Sequence, residues 1–285
     1  MIHPAALPND LPADQLRLPS AEPVIAERAG WRYLSFRVVE LEAGESLPVG
    51  APVTETALVT LSGGVRVGEL ELPGRASVWD GPPWAAYLPP GHDARMTAIG
   101  PATVAVASAP ASGERDGVAS EPVSIGPAEV KVEVRGAGNA TRQINHIITP
   151  EFPADRLEVV EVYTPSGNWS SWPPHKHDTD DMPDEAVLEE VYCYAFRRPE
   201  AWGVQRLYRG DGSRDALWAV RHGEVVLVTD GYHPFVATHG DDAYYLNVLA
   251  GDRRTMACSF DPALAFVRAE WAEMEPDPRV PVVPF

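Results

Sequence analysis

GEVVLVTDGYH, residues 223–233, holds the fold in miniature. Residues 225–228 are a continuous apolar run short enough for one strand, Thr229-Asp230-Gly231 is a tight turn, and His233 opens whatever follows. The same grammar extends in both directions. Downstream, residues 243–250 read as a strand, and so do 263–267, although 261–266 also reads as one helical turn. Upstream lie 217–220, 202–208, 187–196, 157–163 and a run beginning at Val130. The first half repeats the pattern at 31–41, 57–61, 65–72, 76–79, 85–88 and 103–108, with Gly63-Gly64, Pro73-Gly74, Gly81-Pro82-Pro83 and Pro89-Pro90-Gly91 between strands. Short strands at even spacing, punctuated by 23 Gly and 29 Pro, predict an all-β protein of sandwich or barrel type.

At 285 residues the chain suits one large domain or two ordinary ones. The two halves echo each other, since Pro89-Pro90-Gly91-His92 follows an apolar strand as Asp230-Gly231-Tyr232-His233 does. The small, polar stretch APASGERDGVA (109–119) is the natural joint, which predicts domains at 1–118 and 119–285. A net charge of −18 repels nucleic acid and anionic membrane surfaces, so neither is an expected partner. Residues 1–10 lack the basic start and apolar core of a signal peptide, and no stretch has transmembrane length, which predicts a cytoplasmic protein. Cys193 and Cys258 read as buried, reduced thiols. Gly210-Asp211-Gly212 is a hairpin turn and not a phosphate loop, because no helical pattern follows it.

Of the eight histidines, His3, His222 and His239 sit in polar surroundings and read as exposed. His175-Lys176-His177 differs. On an extended strand, residues i and i+2 share a face, so the two imidazoles become neighbours and Lys176 faces away. In LEEVYCYAF (188–196) alternation groups Glu190 with Tyr192 and Tyr194, and Glu189 with Val191 and Cys193. His175 and His177 from one strand, Glu190 from the next and His233 from a later one make a three-His, one-carboxylate set suited to a divalent first-row metal with open positions. The competing reading is a buried Glu190–Arg206 ion pair with incidental histidines.

This order of residues, closed by Asn247, resembles the metal motifs of the cupin superfamily, with a longer gap after His177 (the acidic stretch 178–185) and Thr229 where a proline is usual. The segments GNWSSWPPHKHD (167–178), LEEVYCYAF (188–196), GVQRLY (203–208), WAVRHGEVVLVTDGYHP (218–234) and YYLNVLAG (244–251) resemble the 5-deoxy-glucuronate isomerase family of bacterial myo-inositol catabolism. The resemblance implies a bicupin, two jelly-roll-like barrels in one chain. Its first barrel is degenerate and metal-free, and its second holds one divalent ion, with Zn, Mn, Fe and Ni equally suited. It further implies a small sugar-acid substrate, an aldose–ketose isomerisation of 5-deoxy-D-glucuronate to 5-dehydro-2-deoxy-D-gluconate, and scope for a homo-oligomer. Glu189, Tyr192 and Tyr194 are the candidates for proton transfer. Arg206 is the first candidate for the substrate carboxylate, followed by Arg142, with Gln205 and Arg206 on opposite faces of one strand. A cupin oxygenase and a non-catalytic sugar-acid-binding bicupin are the alternative readings.

Overall fold

The computed structural model describes residues 11–113 and 116–285; the readings of residues 1–10, His3 among them, and of Glu114 and Arg115 in the expected joint lie outside these. Two β-assemblies dominate. The C-terminal half is built on a seven-stranded antiparallel sheet in the order Arg17–Pro19, Glu224–Val228, Glu189–Phe196, Ala243–Ala250, Leu157–Thr164, Arg142–Ile148, Lys131–Arg135. A four-stranded sheet of Trp169–Ser170, Phe235–Ala237, Trp202–Tyr208 and Asp215–Arg221 packs against it. Phe235 bridges the two layers, its ring 5.0 Å from that of Tyr194 and 5.9 Å from that of Tyr245. The N-terminal sheet runs Ser35–Leu41, Ala102–Pro110, Thr54–Val67, Ala85–Leu88, Val123–Ile125, with Ser46–Gly50, Leu70–Arg75 and Asp93–Ala98 paired off that path.

Several expected boundaries move, each for a local reason. The runs 57–61 and 65–72 do not form two separate strands. Thr54–Val67 is one strand bent at its register shifts, with Gly63 at φ 68, where a Cβ would stand 2.2 Å from the Pro101 carbonyl oxygen. Only glycine allows that approach. Residues 76–79 are turn and bend and not strand, because the Val78 carbonyl is taken by the Tyr163 hydroxyl at 2.6 Å instead of by a neighbouring strand. Residues 263–267 are not strand either. Pro262–Leu264 and Phe266–Glu270 are short helical turns, begun by the Asp261 side chain accepting from the Ala263 N–H and by Pro262 at the first position. Arg142–Ile148 is a strand the pattern hid, since its buried Gln143 and Asn145 satisfy each other and Glu161 within the core.

The division at 118/119 is crossed in both directions. Arg17–Pro19 pairs with Glu224–Val228 across the chain, and Val123–Ile125 returns to pair with Ala85–Leu88. Three-residue strands carry too little alternation to be read in a sequence. Buried charge reinforces this exchange. The Glu55 carboxylate accepts the backbone N–H groups of Asp155, Arg156 and Leu157. Arg75 pairs with Glu161 at 2.7 Å, both fully enclosed, and Tyr244 and Asn145 also donate to Glu161. Arg75→Met leaves that carboxylate in the core without its cation. The expected loss is about 3–5 kcal/mol of unfolding free energy, measured by urea denaturation; a loss below about 1 kcal/mol would contradict the pairing's role. No helix among the described residues is long and apolar enough to cross a membrane.

Candidate metal centre

The inner face of the large sheet carries cross-strand rows, since residues directly opposite on antiparallel strands share a face. Glu190 stands in a row with Leu249 and Val228, and Tyr192 in the next row with Asn247. His177 arrives from the segment after His175–Lys176, a two-residue strand pinned to Ser259–Phe260. His233 arrives from the turn after Glu224–Val228. The Nε2 of His177 lies 2.9 Å from Glu190 Oε2, and that of His233 lies 3.3 Å from the same oxygen. His175 stands beside them, its ring 4.6 Å from that of His233. Its donor atoms are not part of the converging group, which among the described residues comprises His177, Glu190 and His233 within 4.8 Å of one another.

The tautomers follow from the partners. His177 Nδ1 lies 2.9 Å from the Leu188 carbonyl and His233 Nδ1 lies 3.0 Å from that of Gly231. A carbonyl only accepts, so both Nδ1 atoms carry a proton, and in the neutral rings Nε2 is the atom left to ligate. His233 Nε2 is buried without a hydrogen-bond partner. Two ring nitrogens and a carboxylate converging, one nitrogen buried without a hydrogen bond, fit a divalent cation, and backbone bonds on the far ring nitrogens are the usual support of such ligands. Burial works to raise Glu190, yet His233, His177 and the Asn247 amide, 2.6 Å from Oε1, outweigh it and hold its carboxyl at about 2. Burial pushes His175 well down, with His233 and His177 adding to it, and burial lowers His233 against the pull of Glu190. For His177 burial acts downward, but Glu190 prevails and raises it.

The acidic stretch after His177 is structure and not filler. Asp178 accepts the Gly231 N–H at 2.7 Å, tying the His-x-His segment to the turn that carries His233. Lys176 turns away from the centre and donates to Asp178 and to buried Glu185. Asp230 is clamped by Arg209 and Arg214.

A cavity of about 770 Å³ opens over the centre, lined by His175, His177, Glu190, Tyr192, Tyr245 and Arg142 among others. Four expected site residues lie elsewhere. Glu189 faces out of the cavity, its carboxylate accepting the N–H groups of Arg32, Tyr33 and Leu34 at 2.6–3.0 Å. Arg206 lies on the outer face, pairs with Asp215 at 2.8 Å and stacks on Tyr208, so it meets neither the cavity nor Glu190. Gln205 is the inward residue of that pair, but its amide is committed to Tyr194 and to the His233 and Pro234 carbonyls; it supports the His233 segment. Tyr194 is packed beneath the cavity against Gln205 and is not part of its lining. Arg142 is fully enclosed, donates only to the carbonyls of Ala140 and Trp172, and has no carboxylate partner among the described residues. Burial draws it down to about 10, and it lines the cavity as a cation without a salt bridge among the described residues. Cys258 lines the cavity half-buried, and Cys193 is buried. Tyr245 and Ser171 escaped the sequence reading; alternation with Asn247 marks Tyr245, whereas nothing in the sequence marks Ser171.

Fold and centre together describe a cupin-type β-protein with a histidine–carboxylate cluster at the base of a cavity. The Lactobacillus farciminis oxalate decarboxylase shares that fold, at 10% identity and a TM-score of 0.60 over 86% of this chain and 88% of the other. A family model, KduI/IolB, matches residues 19–267, and the chain belongs to that family. It is 42% identical over 246 residues to the 5-deoxy-glucuronate isomerase of Geobacillus kaustophilus, covering 84% of this chain and 87% of the relative. With the protein of that name from Lacticaseibacillus casei it shares 36% identity, over 81% of this chain and 86% of the relative. An IolB-like protein from Salmonella typhimurium superposes with a TM-score of 0.81 at 37% identity, over 87% of this chain and 94% of the other.

Proposed function

We propose that the chain is a metal-dependent aldose–ketose isomerase that converts 5-deoxy-D-glucuronate to 5-dehydro-2-deoxy-D-gluconate in myo-inositol catabolism. In this reading it is a bicupin whose second barrel holds one divalent ion between His177, Glu190 and His233, with His175 beside them. The observation that carries the reading is the pairing, in one cavity, of this cluster with the Arg142 guanidinium, which bonds backbone carbonyls and no carboxylate. A sugar acid has a carbonyl beside a hydroxyl at one end and a carboxylate at the other, and the cavity offers a partner for each. A bound divalent ion supplies Lewis acidity to the carbonyl and a seat for the neighbouring hydroxyl. Arg142 grips the carboxylate through its planar fork. Asn247 fixes the Glu190 carboxylate by its bond to Oε1, and Val160 and Val162 give the cavity an apolar wall that keeps water from the reacting carbons. The names carried by the relatives support the same substrate.

Metal-loaded protein incubated anaerobically with 5-deoxy-D-glucuronate should form the ketose, with loss of the aldehyde signal and gain of a hydroxymethyl group by NMR. A requirement for dioxygen, or the absence of turnover with every divalent metal, would overturn the proposal.

A further inference from the structure

Ser171 is the one non-glycine residue with a positive φ among the described residues, at φ 50. That backbone region disfavours any side chain and ordinarily selects glycine. What the serine adds is a hydroxyl. Its Oγ lies 2.8 Å from the Tyr192 hydroxyl, either atom able to donate, and both residues are buried. Both line the cavity, and the Tyr192 ring stands 6.0 Å from that of His233. The strained conformation thus presents a two-hydroxyl chain to the space beside the candidate centre.

We infer that Ser171 and Tyr192 form a relay that carries a proton between the two oxygens of the reacting carbons, an inference that rests on the isomerase reading. Isomerisation turns an aldehyde and a neighbouring carbinol into a hydroxymethyl group and a ketone. Whichever way the carbon-bound hydrogen travels, the second oxygen must lose a proton and the first must gain one. The O2–H bond breaks with its proton passing to Ser171 Oγ, the Ser171 proton passes to Tyr192 Oη, and the Tyr192 proton forms the new O1–H bond. Each hydroxyl ends as it began, no net charge is created on the protein, and no further reactant is needed. The reverse reaction runs through the same pair with each donor and acceptor exchanged.

The test compares wild type with Ser171→Gly, Tyr192→Phe and the double variant, each metal-loaded and assayed on 5-deoxy-D-glucuronate. Glycine suits φ 50, so Ser171→Gly should fold with Tm close to wild type and full metal content. Its kcat should fall at least about 10-fold with KM little changed; a positioned acid or base is typically worth about 10²–10⁴-fold, and water in the vacated space recovers part. Tyr192→Phe should lose more. The double variant should be no slower than Tyr192→Phe alone, as residues acting in one chain are not additive. Ser171→Ala, which keeps the strained backbone, should match the kcat of the glycine variant while melting lower. Ser171→Gly with kcat within twofold of wild type, or multiplicative losses in the double variant, overturns the relay and leaves the isomerase reading standing. A wild type that does not isomerise the substrate overturns both.

Discussion

Glu190→Gln should empty the metal centre and stop turnover together, whereas Glu189→Gln, one residue away, should keep both. The contrast is the largest expected from any single step along this chain. Glu190 Oε2 faces the Nε2 atoms of His177 and His233; replacing the carboxylate by an amide removes the anion that offsets a dication's charge and sets a donor among the ligands. Loss of a Lewis acid forfeits several kcal/mol of transition-state stabilisation, so activity should fall by about 10³-fold or more, with elemental analysis showing substoichiometric metal. Glu189 instead receives three backbone N–H groups from 32–34. Its amide variant should lose about 1–3 kcal/mol of stability and retain metal. The reverse pattern, metal lost from Glu189→Gln and kept in Glu190→Gln, would refute the assignment of the centre.

The second large effect separates two arginines. Arg142→Ala should raise KM by about 10²-fold, since hydrogen bonds to a charged group are worth about 1.5–3 kcal/mol each. Arg142→Lys, which keeps charge but loses the fork, should raise it by about 10-fold. Metal content should be unchanged in both. Arg206→Ala should leave KM within twofold of wild type, because that guanidinium pairs with exposed Asp215 outside the cavity. An unaltered KM in folded, metal-loaded Arg142→Ala would remove Arg142 from substrate binding.

What could be read from the residues, and what could not, divides along the range of the interactions. Alternation within a single strand is local, so Trp202–Tyr208 and Ala243–Ala250 end where the pattern predicts, and Glu190 falls on the side of Tyr192. Alternation also separates Gln205 from Arg206 but does not say which faces in. The expectation that the cation enters the pocket fails because Gln205, with a donor and an acceptor, can serve Tyr194 and two carbonyls at once, and a guanidinium cannot accept. Arg142–Ile148 was illegible because its buried polar residues are satisfied by partners far along the chain. Ser171 was illegible because a backbone angle leaves no mark in composition.

The exchanged strand has a consequence for how the protein is made. Arg17–Pro19 leaves the ribosome early, yet its partner Glu224–Val228 is translated some 200 residues later, roughly 10–40 s at usual elongation rates. For that interval the opening segment has no native edge to join. The edge of Glu224–Val228, once made, is in turn closed only by a segment that has waited throughout. An unpaired edge recruits other strands. Completion of the large sheet therefore waits on the last third of the chain, and its outer edge is closed by the part of the protein made first.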